Sequence, residues 1–72
     1  MKMERKELEE RWWKSNRTAS NGRIVYIGNK GGYVIANDYL IYANTVTLFV
    51  NGADNVDIQF GEFVLDDISG IR

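Results

Sequence analysis

The sequence predicts a small, mostly β protein (small α+β class) with an N-terminal α-helix followed by an antiparallel meander of about five short strands. Three observations carry this prediction. Strong helix formers dominate residues 2–15. Two alternating apolar runs flank an Asn-Gly turn at 51–52, and turn residues separate the other apolar runs at short intervals. We expect a single domain over 1–72, with 1–15 helical, 16–22 a polar linker and 23–72 the β-meander.

The helix is predicted from composition and from the spacing of its apolar residues. Residues 2–15 contain no β-branched residue, and Met1, Leu8 and Trp12 fall seven and four positions apart, on one helical stripe. The expected helix has about three turns and ends near 15–16. Because isolated helices of this length are marginal in water, most of its stability must come from docking on the sheet.

The remaining apolar runs are predicted to be strands. They lie at 23–27, 33–36, 39–43, on either side of the turn at 51–54, and at 63–65. The segment 39–43 fits a strand or one helical turn, and we prefer the strand. A hairpin loop at 28–32, a tight turn at 61–62 and a closing turn at 66–71 complete the expected meander, which can curl into a small open barrel.

The hairpin at 45–60 is the strongest local prediction. Apolar residues alternate with Thr, Asp and Gln on both arms, so the two sides of the ribbon are unequal. The apolar side is expected to hold Val46, Leu48, Val50, Val56, Ile58 and Phe60. Since an isolated hairpin is unstable, the rest of the chain should cover that side.

The composition excludes several kinds of chemistry. Histidine and cysteine are both absent, which rules out zinc sites of the usual kind, thiol nucleophiles, Ser-His triads and disulfides. We therefore expect no enzyme activity, no cofactor and no metal. The N-terminus has no apolar run, so we expect no signal peptide, no membrane span and a cytoplasmic location.

The net charge of −1 hides an asymmetry along the chain. Residues 1–23 carry seven basic and four acidic groups, a balance of +3, whereas residues 24–72 carry two basic and six acidic groups, a balance of −4. Nucleic-acid binding draws most of its affinity from cations, so we do not expect the acidic β-part to bind nucleic acid by itself. The alternative is an accessory nucleic-acid binder that uses Lys14, Arg17 and Arg23 beside Tyr26 or Tyr33. A small-ligand pocket lined by aromatic residues is a further alternative.

Two motifs have simple structural explanations. The loop at 28–32 could hold a phosphate on its amides, but it lacks the Gly-Lys-Ser/Thr ending of a Walker loop, and a turn with positive φ explains its glycines. Asp66 and Asp67, near Glu62, could form a metal site, but neighbouring strand residues point to opposite faces. Solvated turn acids, or an acidic patch for a basic partner, explain them better.

The adjacent tryptophans are the clearest candidates for contact with a partner. Neighbouring helical residues are about 100° apart, so only one of Trp12 and Trp13 can be fully buried, and the other is free for another chain. The complete set of predicted partner-binding residues is Trp12, Trp13, Tyr33, Tyr42, Asp66 and Asp67.

The order of elements resembles that of the Sm-like barrel. A helix, short strands and a final Phe63–Ile71 segment (FVLDDISGI) carry this architectural resemblance over about residues 3–71. The basic, glycine-marked positions with which Sm-like domains contact RNA have no match at 63–67, so the resemblance implies an architecture and no RNA binding.

The leading hypothesis is a non-enzymatic binding protein that acts through protein–protein contact and self-associates. Apolar residues on both faces of the runs at 23–27 and 39–43 suggest that a second copy covers one face. Small size, an acidic body and the lack of catalytic chemistry also fit an inhibitor from a phage or mobile element that blocks a larger host protein.

Overall fold

The computed structural model describes residues 3–18, 21–28, 31–52 and 56–72, and within them it confirms the predicted fold class. The helix α1 spans Arg5–Lys14, and the strands are β1 (Arg23–Ile27), β2 (Gly32–Ala36), β3 (Asp38–Tyr42), β4 (Thr45–Asn51), β5 (Asp57–Val64) and β6 (Ile68–Ile71). A 3₁₀ turn at Leu65–Asp67 joins β5 to β6. The preferred strand at 39–43 is thus confirmed as β3.

The strands form two antiparallel sheets of three strands each. Sheet A has the order β2-β1-β6, and sheet B has the order β3-β4-β5. Asn37 is the one residue between β2 and β3, so the chain passes from one sheet directly into the other. Its amide donates to the carbonyl of Phe49 over 2.7 Å, and its side-chain oxygen accepts from the amide of Asn51 over 3.0 Å. Among the described strands the sheets do not close into a barrel.

The helix docks through one stripe, as its spacing predicts. Leu8 and Trp12 are buried against the sheets, while Met1 lies outside the described residues. Met3 is buried just before the first turn. The helix begins at Arg5, later than the predicted start, because Glu4 is extended and serves as the N-cap.

One apolar core lies under the helix and between the sheets. Its members alternate along the strands, which is the pattern of half-buried antiparallel sheets. The buried apolar residues are Met3, Leu8, Trp12, Val25, Ile27, Val34, Ala36, Ile41, Val46, Leu48, Leu65 and Ile68. Within the described residues no helix is long and apolar enough to cross a membrane.

The predicted end of the chain is wrong in its details. The expected turn at 61–62 and the separate strand at 63–65 are one continuous strand, β5. A β-bulge at Phe60 explains this, because Leu48 pairs with Gly61 while Phe49 pairs with Gln59. The expected closing turn at 66–71 is the 3₁₀ turn followed by β6, which pairs with β1.

The apolar face of the hairpin is only partly covered. Val46 and Leu48 are buried and Val50 is half-buried, as predicted. The expected burial of Val56, Ile58 and Phe60 is wrong, because no described element lies over the outer half of β5. Residues 53 and 54 of the predicted turn lie outside the described residues. At the other hairpin loop, Gly31 has the expected positive φ, +65°.

Candidate protein-contact site

The two tryptophans have opposite environments. The Trp12 side chain is 2% exposed, whereas that of Trp13 is 68% exposed. The 100° step of the helix turns one ring into the core and the next ring out of it. Trp12 is therefore a core residue, and Trp13 is the ring of this pair that another molecule can reach.

The guanidinium group of Arg23 contacts the rings of both Trp12 and Trp13. Its guanidinium carbon lies 4.9 Å from the centre of the Trp12 ring and 5.3 Å from that of Trp13. Arg23 is only 6% exposed, and its Nε has no hydrogen-bond partner in the described part of the chain. Burial, followed by the charge of Arg17, lowers the pKa of Arg23. Two aromatic faces thus stabilise this cation, since each such contact contributes about 0.5–2 kcal/mol.

Tyr39, on β3, completes the support for the helix. Its ring packs edge-on against Trp12 with a centroid distance of 4.9 Å, and its hydroxyl lies near the polar edge of the Trp13 side chain. Burial is the main cause that raises the pKa of Tyr39, and the charge of Glu9 adds to it. We call Trp12, Trp13, Arg23 and Tyr39 the Trp–Arg cluster.

The exposed side of Trp13 is bordered by charges of both signs. It lines a shallow groove of about 470 Å³ on the surface of α1. The other lining residues are Lys6, Glu9, Glu10 and Lys14. An aromatic ring surrounded by polar side chains has the make-up of a contact centre with a polar rim.

The other predicted partner residues lie elsewhere. Tyr33 is exposed on the outer face of sheet A, and Tyr42, 82% exposed, lies on the outer face of sheet B. Asp66 and Asp67 occupy the 3₁₀ turn, where the carbonyl of Asp67 accepts from the amide of Gly28. The structure therefore does not bring the predicted set onto one surface. Among the described residues, no acidic side chains are grouped as metal ligands.

The residues of the nucleic-acid alternative do not share a surface either. Lys14 and Arg17 are exposed, but Arg23 is buried on the core side of β1. Because side chains alternate along a strand, Tyr26 lies on the opposite, outer side of β1, where it pairs with Tyr33. A buried guanidinium cannot neutralise a phosphate, so this combination loses one of its three cations.

Comparisons with protein-family models, curated proteins and solved structures found no match. The function therefore has to be inferred from the geometry of the chain itself.

A second exposed apolar surface lies on the outer side of sheet B. The register places Tyr42 and Val64 on either side of Thr45, with Leu40 beside Thr47 in the next row. Tyr42, Leu40 and Val64 are all more than half exposed. We call Leu40, Tyr42, Thr45, Thr47 and Val64 the sheet-B face. The apolar run at 39–43 was the sequence signal for it.

Proposed function

We propose that this chain is a non-enzymatic protein-binding module whose main contact residue is Trp13. One observation carries the proposal: a large aromatic ring stands mostly in solvent, yet Arg23 and Tyr39 hold it from the protein side. Tryptophan is the residue type most enriched among binding hot spots, and a ring that is already fixed loses little entropy on binding. The partner is expected to offer an apolar pocket for this ring.

The absence of histidine and cysteine supports the non-enzymatic part of the proposal. An inhibitory complex with a larger host protein belongs to the same proposal, because blocking a partner needs contact area and no chemistry. Two lysines and two glutamates border Trp13, so the partner is expected to carry charges of both signs around the apolar pocket.

Trp13→Ala is expected to abolish most partner binding while the protein stays folded. Loss of a central aromatic contact typically costs 2 kcal/mol or more, about 30-fold in affinity. The folded state loses only the contacts with Arg23 and Tyr39, about 1 kcal/mol. The measurement is co-purification of tagged wild-type and variant proteins from the organism of origin, with circular dichroism to verify folding.

Ile35→Ala is the matched control, since it removes an exposed apolar side chain on the outer face of sheet A, away from both proposed contact surfaces. The Trp13 contact is supported if partners are lost with Trp13→Ala and kept with Ile35→Ala. Equal recovery of partners by wild type and Trp13→Ala would refute it.

We further propose that two copies associate through the sheet-B face. Its five residues are uncharged, with Glu62 at their border beside Thr47, and the apolar part of such a face can meet its own copy without charge complementarity. Three large apolar side chains in adjacent rows gain free energy when they leave water together.

Leu40→Asp is expected to weaken this self-association by at least tenfold, because a carboxylate would be buried against apolar side chains of the other copy. Sedimentation equilibrium over a range of concentrations measures it. Tyr33→Asp, on the outer face of sheet A, should leave the association constant unchanged. A wild-type protein that remains monomeric at high concentration would contradict this self-association.

A further inference from the structure

A cleft separates the free edges of two strands that belong to different sheets. Among the described strands, β2 is hydrogen-bonded only to β1 and β5 only to β4, so β2 and β5 each have one unpaired edge. The cleft between these edges has a volume of about 400 Å³. Ile27, Gly32, Tyr33, Val34, Phe60, Gly61, Glu62 and Phe63 line it. We call it the edge cleft.

The lining combines apolar surface with unused backbone groups. The rings of Phe60 and Phe63 stack with centroids 6.4 Å apart, and the side chains of Ile27 and Val34 line the cleft from sheet A. Phe60, the bulge residue, is 56% exposed. An edge strand also presents a row of free N–H and C=O groups, so both the backbone and the side chains of an extended segment have partners here.

We propose that the edge cleft binds an extended segment of a partner protein, which adds to β5 as a further strand and places alternate apolar side chains against Val34, Phe60 and Phe63. Lysine or arginine residues alternate with those apolar residues. This inference rests on the proposed protein-binding function and gives it a second contact site, separate from Trp13.

The charges around the cleft select a basic segment. Among the described residues from 24 to 72, Arg72 is the one cation. The acids of the same stretch are Asp38, Asp57, Glu62, Asp66 and Asp67. Glu62 lines the cleft itself, and Asp57 lies on the same strand. A basic segment gains attraction from both carboxylates.

The same charges argue against a second copy of this chain as the occupant. If β5 paired antiparallel along its full length with β5 of another copy, Asp57 of each copy would lie diagonal to Glu62 of the other. The four carboxylates of these residues would then lie close together on one face of the two paired strands and repel each other.

Gly61 gives a way to close the cleft without disturbing the core. A Cβ at this position would meet only the ring of Phe63, at 3.5 and 3.6 Å, which is ordinary contact. Gly61 also lies outside the positive-φ region. The β-carbon of Gly61→Val is therefore accommodated, and its two methyl groups occupy space beside Phe63 that a bound segment would need. Gly70→Val is the matched control, because a Cβ there meets only Arg11, at 3.9 Å.

The test is a selection of random 12-residue peptides displayed on phage, against the immobilised full chain. We expect enriched peptides that alternate apolar residues with Lys or Arg. Their affinity should fall at least tenfold for Gly61→Val and remain the same for Gly70→Val. N-methylation of alternate peptide amides should weaken binding by a similar factor, because it removes the donors of the added strand.

Several outcomes would overturn the inference. The first is that no peptide is enriched, and the second is that peptides bind Gly61→Val and wild type with equal affinity. The third is that N-methylated peptides bind as well as unmodified ones, which would indicate that the cleft binds small apolar groups. Protection of the β5 amides from hydrogen exchange that depends on protein concentration would instead identify a second copy. Trp13→Ala should leave peptide affinity unchanged, so a failure at Trp13 and a failure at the edge cleft are distinguishable.

Discussion

Trp12→Ala is expected to lower the free energy of unfolding by about 3–5 kcal/mol, the largest loss of any substitution considered for this protein. The Trp12 ring is 2% exposed and packs against Tyr39 and Arg23 beneath the helix. Truncation of a buried aromatic residue costs about 3–5 kcal/mol. A 72-residue domain has a total free energy of unfolding of roughly 4–11 kcal/mol at 0.05–0.15 kcal/mol per residue. This one substitution therefore removes a large fraction of the stability.

Urea denaturation followed by circular dichroism measures this loss. Trp13→Ala is the matched control, with an expected loss of about 1 kcal/mol, because its ring is mostly exposed. Similar unfolding midpoints for Trp12→Ala and wild type would show that the helix does not dock through Trp12.

Arg23→Glu is expected to destabilise the protein by about 3 kcal/mol at neutral pH. It removes a cation from between two aromatic rings and leaves a buried carboxylate against their negative faces. Burial would raise the pKa of the new carboxyl above its unfolded value of about 4.3. The carboxyl is then protonated in both states at low pH, so the loss of stability should shrink as pH falls toward about 4 and be full at pH values above the raised pKa.

Arg23→Met is the matched control for this substitution. An uncharged side chain of similar length keeps the packing between the rings and removes the cost of burying a charge. Its free energy of unfolding should lie within about 1 kcal/mol of wild type or above it. Equal stability of Arg23→Glu and Arg23→Met at neutral pH would mean that Arg23 is not buried beneath the two rings.

Local periodicity was enough to predict the helix and most of the strands. Leu8 and Trp12 share a helical stripe, and Val46 and Leu48 alternate on one side of β4, so their burial follows from spacing alone. The error at 61–62 arose because Gly-Glu resembles a turn. Pairing with β4 overrides that local preference, and the bulge at Phe60 absorbs the extra residue. The strand β6 was missed because its partner, β1, is far away in sequence.

The candidate site was predictable only in part. The 100° step between Trp12 and Trp13 indicated that one ring would be buried and the other exposed. The position of Arg23 was not predictable, because it depends on how α1 docks over β1, which is a long-range contact. The edge cleft was hidden for a similar reason: β2 and β5 are brought together only by the way sheet A and sheet B meet.

The measurement that tests the central claim most directly is native mass spectrometry of the tagged protein, purified gently from the organism of origin. The account predicts species above the 8.3 kDa mass of one chain. They should be either multiples of that mass, for self-association, or one chain added to a larger protein. A single peak at the mass of one chain, at all protein concentrations, would contradict a function based on protein–protein contact.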